Sequence, residues 1–199
     1  MTTAQRYGFV GLGNMGGPMA ANLSRTGAEV VVFDAAGTAE RTPAGAHAAA
    51  SIADLAARAE TVFLSLPDGP VVLDVLAQVG GAPDRVVSTV VDLSTVGIEL
   101  AQRAFAEAGA MGLVYVDAPV SGGRSGAVEA TITVMWAGPA DVLETHRPAL
   151  EVMAKHVFHV GTEAGQGQAL KLLNNFLSAT STAATGEALL FGAAHGLAP

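Results

Sequence analysis

A lysine and two asparagines stand at positions 171, 174 and 175, in the run Gly165-Gln166-Gly167-Gln168-Ala169-Leu170-Lys171-Leu172-Leu173-Asn174-Asn175. In a helix, residues spaced i, i+3 and i+4 share one face. Lys171, Asn174 and Asn175 then point the same way, among the apolar neighbours Leu170, Leu173, Phe176 and Leu177. Taking an ammonium group partly out of water disfavours its charged form, so its pKa falls towards working pH. Such a group can give and take a proton, and the amides beside it can hold a polar substrate. The competing description is a surface lysine whose alkyl stem lies along a leucine stripe. Spacing alone does not choose between them.

A second set of residues points to phosphate recognition. The apolar run Tyr7-Gly8-Phe9-Val10 ends at Gly11-Leu12-Gly13-Asn14-Met15-Gly16, which is G-x-G-x-x-G directly after a strand. A helical pattern follows through Met19 and Leu23 and stops near Gly27. Glu29 to Phe33 reads as a second strand, with Asp34 at its end, 23 residues after Gly11. A dinucleotide fingerprint places an acid about 20 residues on. Gly11 allows the tight turn, Gly13 lets backbone approach a pyrophosphate, and Gly16 lets the helix pack close to the strand. The helix N-terminus offers free N–H groups and a positive dipole end to phosphates. Gly11, Leu12, Gly13, Asn14, Met15, Gly16 and Asp34 are thus the expected cofactor residues. Asp34 would accept from the ribose hydroxyls and repel a 2′-phosphate. NAD is therefore expected, with NADP admitted by the nearby Arg41.

The third motif is Asp117-Ala118-Pro119-Val120-Ser121-Gly122-Gly123, at the C-terminal end of a strand pattern. Ligands in open α/β sheets bind at that edge. Successive backbone N–H groups of a Ser-Gly-Gly turn can form a nest for an anion, and a substrate carboxylate fits. The plainer alternative is a tight turn that merely needs glycine.

The elements that must hold these motifs alternate. Ala46 to Ala48 reads as a third short strand, and Ser51 as the N-cap of a helix through Arg58. Thr61 to Leu66 and Val86 to Leu93 read as buried strands, with helices at 71–79 and 97–108. Strands follow at 113–118, 132–136 and 157–160, with a helix at 140–153. This alternation predicts an α/β fold: a Rossmann-type, mostly parallel sheet with helices on both faces. From about Ala164 the pattern is helical almost to the end, a long C-terminal helix with a small-residue stretch from Ser178 to Gly186. The expected division is a dinucleotide-binding domain at 1–163 and a long interdomain helix at 164–199.

Composition narrows the function classes. Half of the 199 residues are hydrophobic, enough for a sizeable core. The formal net charge is −8 and no basic run exists, which argues against nucleic acid as a partner. Absent cysteine excludes disulfides, thiol catalysis and thiolate-bound metals. His156 and His159 flank an apolar strand without a third ligand, so no metal site is expected. Nothing near the N-terminus resembles a signal peptide, and no apolar run approaches a membrane span. A cytoplasmic protein that binds neither nucleic acid nor membrane is the expectation.

Three motifs in register, Gly11 to Leu23, Asp117 to Gly123 and Gly165 to Asn175, resemble the β-hydroxyacid dehydrogenase family, which includes 3-hydroxyisobutyrate dehydrogenase and tartronate semialdehyde reductase. The resemblance implies an NAD(P)-dependent oxidoreductase that moves a hydride between the cofactor and a small anionic 3-hydroxy acid or semialdehyde. It makes Lys171 the general acid/base and has Asn175 hold substrate and lysine, with Asn174 nearby. It has Ser121, Gly122 and Gly123 bind the substrate carboxylate. Leu66 and Pro67 match positions lining the cofactor, and Thr95 matches one near the nicotinamide. The family position four residues after that proline is often asparagine; here it is Val71. Family members also continue into an all-helical domain of roughly 100 residues, so the resemblance implies a chain shortened before most of it. Self-association through the C-terminal helix, with Leu189, Leu190 and Phe191, is expected. Two alternatives stay open: an imine reductase-like enzyme on the same scaffold, against which Lys171 weighs, and a non-catalytic NAD(P)-binding module.

Overall fold

The computed structural model describes residues 5–198. Its strands are β1 (Arg6–Val10), β2 (Glu29–Phe33), β3 (His47–Ala48), β4 (Thr61–Leu64), β5 (Thr89–Asp92), β6 (Val114–Asp117), β7 (Val120–Ser121), β8 (Ile132–Ala137) and β9 (Ala154–Gly161). Its helices are α1 (Gly16–Ser24), α2 (Ile52–Arg58), α3 (Gly69–Gly80), α4 (Ile98–Ala110), α5 (Gly123–Val128), α6 (Ala140–Glu151) and α7 (Gln166–Ala194). Six strands run parallel in the order β3-β2-β1-β4-β5-β6. That is the doubly wound order of dinucleotide-binding sheets. β8 then joins β6 antiparallel through Asp117 and Ala137, β7 lies antiparallel on β8, and β9 lies parallel to β8.

The parallel strands are apolar on both faces because both faces are covered. Successive residues feed opposite cores, as the period of two demands. Phe9, Val30, Val32, Phe63, Val91 and Val116 enter one core with Met19, Leu23 and Leu143. Val31, Val62, Leu64, Val90 and Tyr115 enter the other, with Leu55, Val72 and Leu76. Trp136, fully buried, fills the first core at the antiparallel end.

Local chemistry sets the element ends. Ser51 Oγ accepts from Asp54 N–H at 3.1 Å and caps α2, as the sequence suggests. α3 begins at Gly69, earlier than expected, because Asp68 Oδ1 accepts from Val71 N–H at 3.0 Å and Pro70 sits in the first turn. β5 is shorter than the apolar run that announced it, since residues 86–88 lead in without pairing as strand. The turn expected after Pro119 instead holds β7 and α5. β9 runs to eight residues, longer than the expected 157–160, because exposed Lys155 and His156 mask its start.

The long helix departs from expectation in one respect. Only Gly167 and Gln168 of α7 are buried. Leu173, Phe176 and Leu177 are 60%, 68% and 63% exposed, and so do not wall in Lys171 as anticipated. Leu189, Leu190 and Phe191 are likewise exposed. Among the described residues no helix is long and apolar enough to cross a membrane, and no group of three His, Asp or Glu side chains could hold a metal ion.

Candidate active site at the C-terminal sheet edge

Strand register lines up the functional ends. Phe33 pairs with Val10, Val10 with Leu64, Leu64 with Asp92, and Asp92 with Asp117. The segment following each of these residues therefore emerges on one edge of the sheet. From β1 comes the glycine turn, from β2 Asp34, from β4 Leu66 and Pro67, from β5 the 94–97 turn, and from β6 the Ser-Gly-Gly turn.

A cleft of about 830 Å³ opens at the β2, β1 and β4 end of this edge. Gly11, Gly13, Asn14, Met15 and Gly16 form one side, and Asp34, Leu66 and Pro67 line it too. Helix α1 starts at this cleft without a side-chain cap; Gly17 N–H donates to Gly13 O at 3.0 Å and Pro18 has no N–H, so the Gly16 N–H is what its first turn offers an anion. A Cβ at Gly16 would lie 1.9 Å from the Gly11 carbonyl oxygen, so helix and turn touch there. A Cβ at Gly13 would meet nothing within 4 Å. Gly13 thus faces open space with room for a pyrophosphate, and the residues present fit a dinucleotide. Asp34 is held ready: Leu12 N–H donates to Oδ2 at 2.6 Å and Ala36 N–H to Oδ1 at 2.8 Å. Arg41 Nε stands 4.0 Å from Oδ1.

This contrast gives a paired test. Gly13→Ala is expected to keep the melting temperature and lose dinucleotide affinity, because its methyl intrudes only on the ligand. Gly16→Ala is expected to lose both, since backbone must move. Thermal melts with calorimetric titration of NADH separate them. Undiminished NADH binding by Gly13→Ala would count against phosphate approach at this point.

The first turns of α7 pack against β6, β8 and β9 and carry Lys171 to the other end of the edge. A buried polar network fixes them. Gln168, fully buried, accepts through Oε1 from Val96 N–H at 2.9 Å and Gly97 N–H at 3.1 Å. Its Nε2 donates to Ser94 O at 3.1 Å and Asp117 Oδ1 at 2.7 Å. Asp117 Oδ2 accepts from Gly165 N–H at 2.9 Å and Gln168 N–H at 3.1 Å, so a strand-end carboxylate caps the helix. Gly167 permits this contact, since a Cβ there would lie 2.8 Å from Met135 O and 2.9 Å from Asp117 O. Asp92, also fully buried, accepts from Ser94 N–H at 2.9 Å and Tyr115 O–H at 2.8 Å. Ser94 Oγ in turn accepts from Leu66 N–H at 2.9 Å, which joins the cofactor cleft to the helix. Burial pushes the carboxyls of Asp92 and Asp117 above their usual range, against the pull of their hydrogen bonds.

The proton-transfer candidates lie just past this clamp. Lys171 is partly buried, and desolvation holds its pKa below the ordinary lysine value. Asn174 Nδ2 donates to Ser121 Oγ at 3.1 Å, which joins the helix to the Ser-Gly-Gly turn. Gly122 and Gly123 both hold positive φ, 134° and 64°, at the start of α5. Asn175 is exposed. Thr95 is exposed on the turn whose next two N–H groups Gln168 grips, outside the residues lining the dinucleotide cleft. Gln168 and the capping role of Asp117 escaped the sequence reading. The available signal was their placement: an acid closing a strand, and an amide one turn before Lys171.

Comparison with known proteins agrees with this geometry. Residues 6–161 match the NAD binding domain of 6-phosphogluconate dehydrogenase. Residues 165–199 match the family described as NAD-binding of NADP-dependent 3-hydroxyisobutyrate dehydrogenase. The chain is 37% identical to 2-(hydroxymethyl)glutarate dehydrogenase of Eubacterium barkeri, with 100% of this chain and 67% of that protein covered. It is 41% identical to 3-hydroxyisobutyrate dehydrogenase of Pseudomonas aeruginosa, over 96% of this chain and 65% of the relative. The chain thus spans about two thirds of the length of these relatives. A solved structure of Mycobacterium tuberculosis 3-hydroxyisobutyrate dehydrogenase with L-serine superposes with a TM-score of 0.90 at 36% identity, covering 98% of this chain and 67% of that one. The chain belongs to the β-hydroxyacid dehydrogenase family, whose cofactor is NAD(P).

Proposed function

We propose that this chain serves an NAD(P)-dependent 3-hydroxyacid dehydrogenase, exchanging a hydride between the nicotinamide and a small 3-hydroxy acid or its semialdehyde. The observation that carries the reading is the contact of Asn174 with Ser121 at 3.1 Å, one turn beyond a desolvated lysine. It joins a proton carrier, an amide and an anion-binding turn on the edge that also bears the dinucleotide cleft. The bound cofactor supplies the hydride acceptor or donor. In the oxidative direction neutral Lys171 takes the hydroxyl proton as the carbinol carbon loses hydride. In reduction the lysine ammonium returns that proton to the carbonyl oxygen. Ser121 and the backbone N–H groups of Gly122 and Gly123 hold the carboxylate, and Asn174 and Asn175 orient the hydroxyl.

The compounds in the relatives' names share one fragment. 3-Hydroxyisobutyrate, 2-(hydroxymethyl)glutarate and L-serine all carry a primary alcohol one carbon beyond the carbon that bears the carboxylate. A site holding that carboxylate sets the reacting carbon at a fixed distance, so the third substituent is free to vary. Asp34 at the ribose position favours NAD over NADP, by repelling a 2′-phosphate. A panel of 3-hydroxy and 2-hydroxy acids assayed with NAD+ and NADP+ tests this. Turnover of the 3-hydroxy acids, with higher kcat/KM for NAD+, is the expected result. Turnover confined to 2-hydroxy acids or to amines would overturn it, the latter in favour of imine chemistry.

A further inference from the structure

The cleft extends beyond what phosphate and ribose require. With the pyrophosphate at Gly13 to Gly16 and a ribose at Asp34, the nucleotide base would lie against the remaining wall of the cleft. The wall there is helix α3. Val71, Asp74, Val75 and Gln78 all line the cleft, at a spacing that makes one stripe along the helix. Asp68, by capping α3, fixes the start of that stripe. Ile52 and Leu66 complete an apolar slot with Val71 and Val75. The polar groups this helix brings to the slot are Asp74 and Gln78. They are already joined: Gln78 Nε2 donates to Asp74 Oδ2 at 2.8 Å.

We propose that Asp74 and Gln78 read the edge of the base and select adenine. This rests on the assignment of the cleft to NAD(P). The bond between them uses one amide hydrogen and one carboxylate oxygen. The second Nε2 hydrogen of Gln78 and Oδ1 of Asp74 remain, a donor beside an acceptor. Adenine presents the complement on its N1 edge, an N6 amine that donates beside N1, a ring nitrogen that accepts. Hypoxanthine reverses both: O6 faces the carboxylate, and N1–H faces the amide donor. The slot thus admits any flat base, whereas the pair discriminates among them. The plain alternative is an ordinary surface pair one turn apart, which is indifferent to the base.

Calorimetric titration of the chain with NADH and with reduced nicotinamide hypoxanthine dinucleotide tests the proposal, since the two differ only at that edge. NADH is expected to bind roughly tenfold more tightly, the lower part of what one two-point base contact gives. Asp74→Asn, whose amide can turn to serve either base, is expected to bring the ratio close to one. Gln78→Ala is expected to narrow it. Both positions are exposed on the helix, and thermal melts check that the variants fold. Equal affinity of the unmodified chain for the two dinucleotides would overturn the proposal and leave the cofactor assignment standing. So would an unchanged ratio in Asp74→Asn. Binding of neither dinucleotide would overturn both.

Discussion

Replacing Lys171 by alanine is expected to lower kcat by about 10²- to 10⁴-fold, the usual contribution of a positioned acid/base, with NADH affinity unchanged. The lysine lies outside the residues lining the dinucleotide cleft, so binding has no reason to follow turnover. Lys171→Arg should fail as well, because guanidinium keeps its charge but does not release its proton in the working range. That pair of variants separates proton transfer from mere positive charge. The pH dependence follows from the same group. Desolvation depresses the Lys171 pKa below 10.5, so the neutral amine appears at a lower pH than in an exposed lysine. Oxidation, which needs the neutral amine, should accelerate as pH rises through that depressed value. Reduction, which needs the ammonium, should slow over the same interval. Stability moves with oxidation: between the folded and unfolded pKa values the unfolded chain binds more protons, so the fold gains as pH rises. An alanine variant with undiminished turnover, or a pH profile that survives it, would remove Lys171 from the chemistry.

Gln168→Leu is expected to destabilise the fold by about 3–5 kcal/mol and lower the melting temperature by about 10 °C. The substitution is close in size, and it strips four partners at once, two of them buried and two half-buried. Val96 N–H, Gly97 N–H, Ser94 O and Asp117 Oδ1 each lose the group that satisfies them. Water cannot easily replace the amide, because Gln168 is fully buried. Gln166, two residues earlier, provides the comparison: it is exposed and its side chain accepts only from Glu163 N–H at 3.0 Å. Gln166→Ala should cost no more than about 1 kcal/mol. Equal melting temperatures for the two variants would mean that the network does not hold α7 to the sheet.

How far the sequence announces this molecule depends on how local each signal is. The parallel strands are legible because burial on both faces makes them continuous apolar runs, as in Thr61 to Leu64. The glycine turn and Asp34 are legible because their spacing is dictated by the geometry of one strand-turn-helix-strand unit. Lys171 stands out by its own pattern with Asn174 and Asn175. The clamp beside it does not, because Gln168 and Asp117 lie 51 residues apart and a glutamine in a helix is ordinarily a surface residue. Only the fold turns that amide inward. β7 and α5 are too short to show a period, so Ser121 to Val128 looked like a loop. The exposed leucines of α7 misled for a related reason. A stripe at helical spacing says that a face is apolar, and says nothing about whether this chain covers it.

The clamp also sets the mechanics of the long helix. Gln168 acts as a pivot, with Lys171 about 4.5 Å beyond it along the axis and Ala194 about 39 Å beyond, at 1.5 Å per residue. The two lie at very different radii on one lever. A sway of about 4 Å at the tip would shift the Lys171 backbone by only about half an ångström. The amine proposed to move the proton sits where the lever is nearly still, insulated from whatever tugs at the far end.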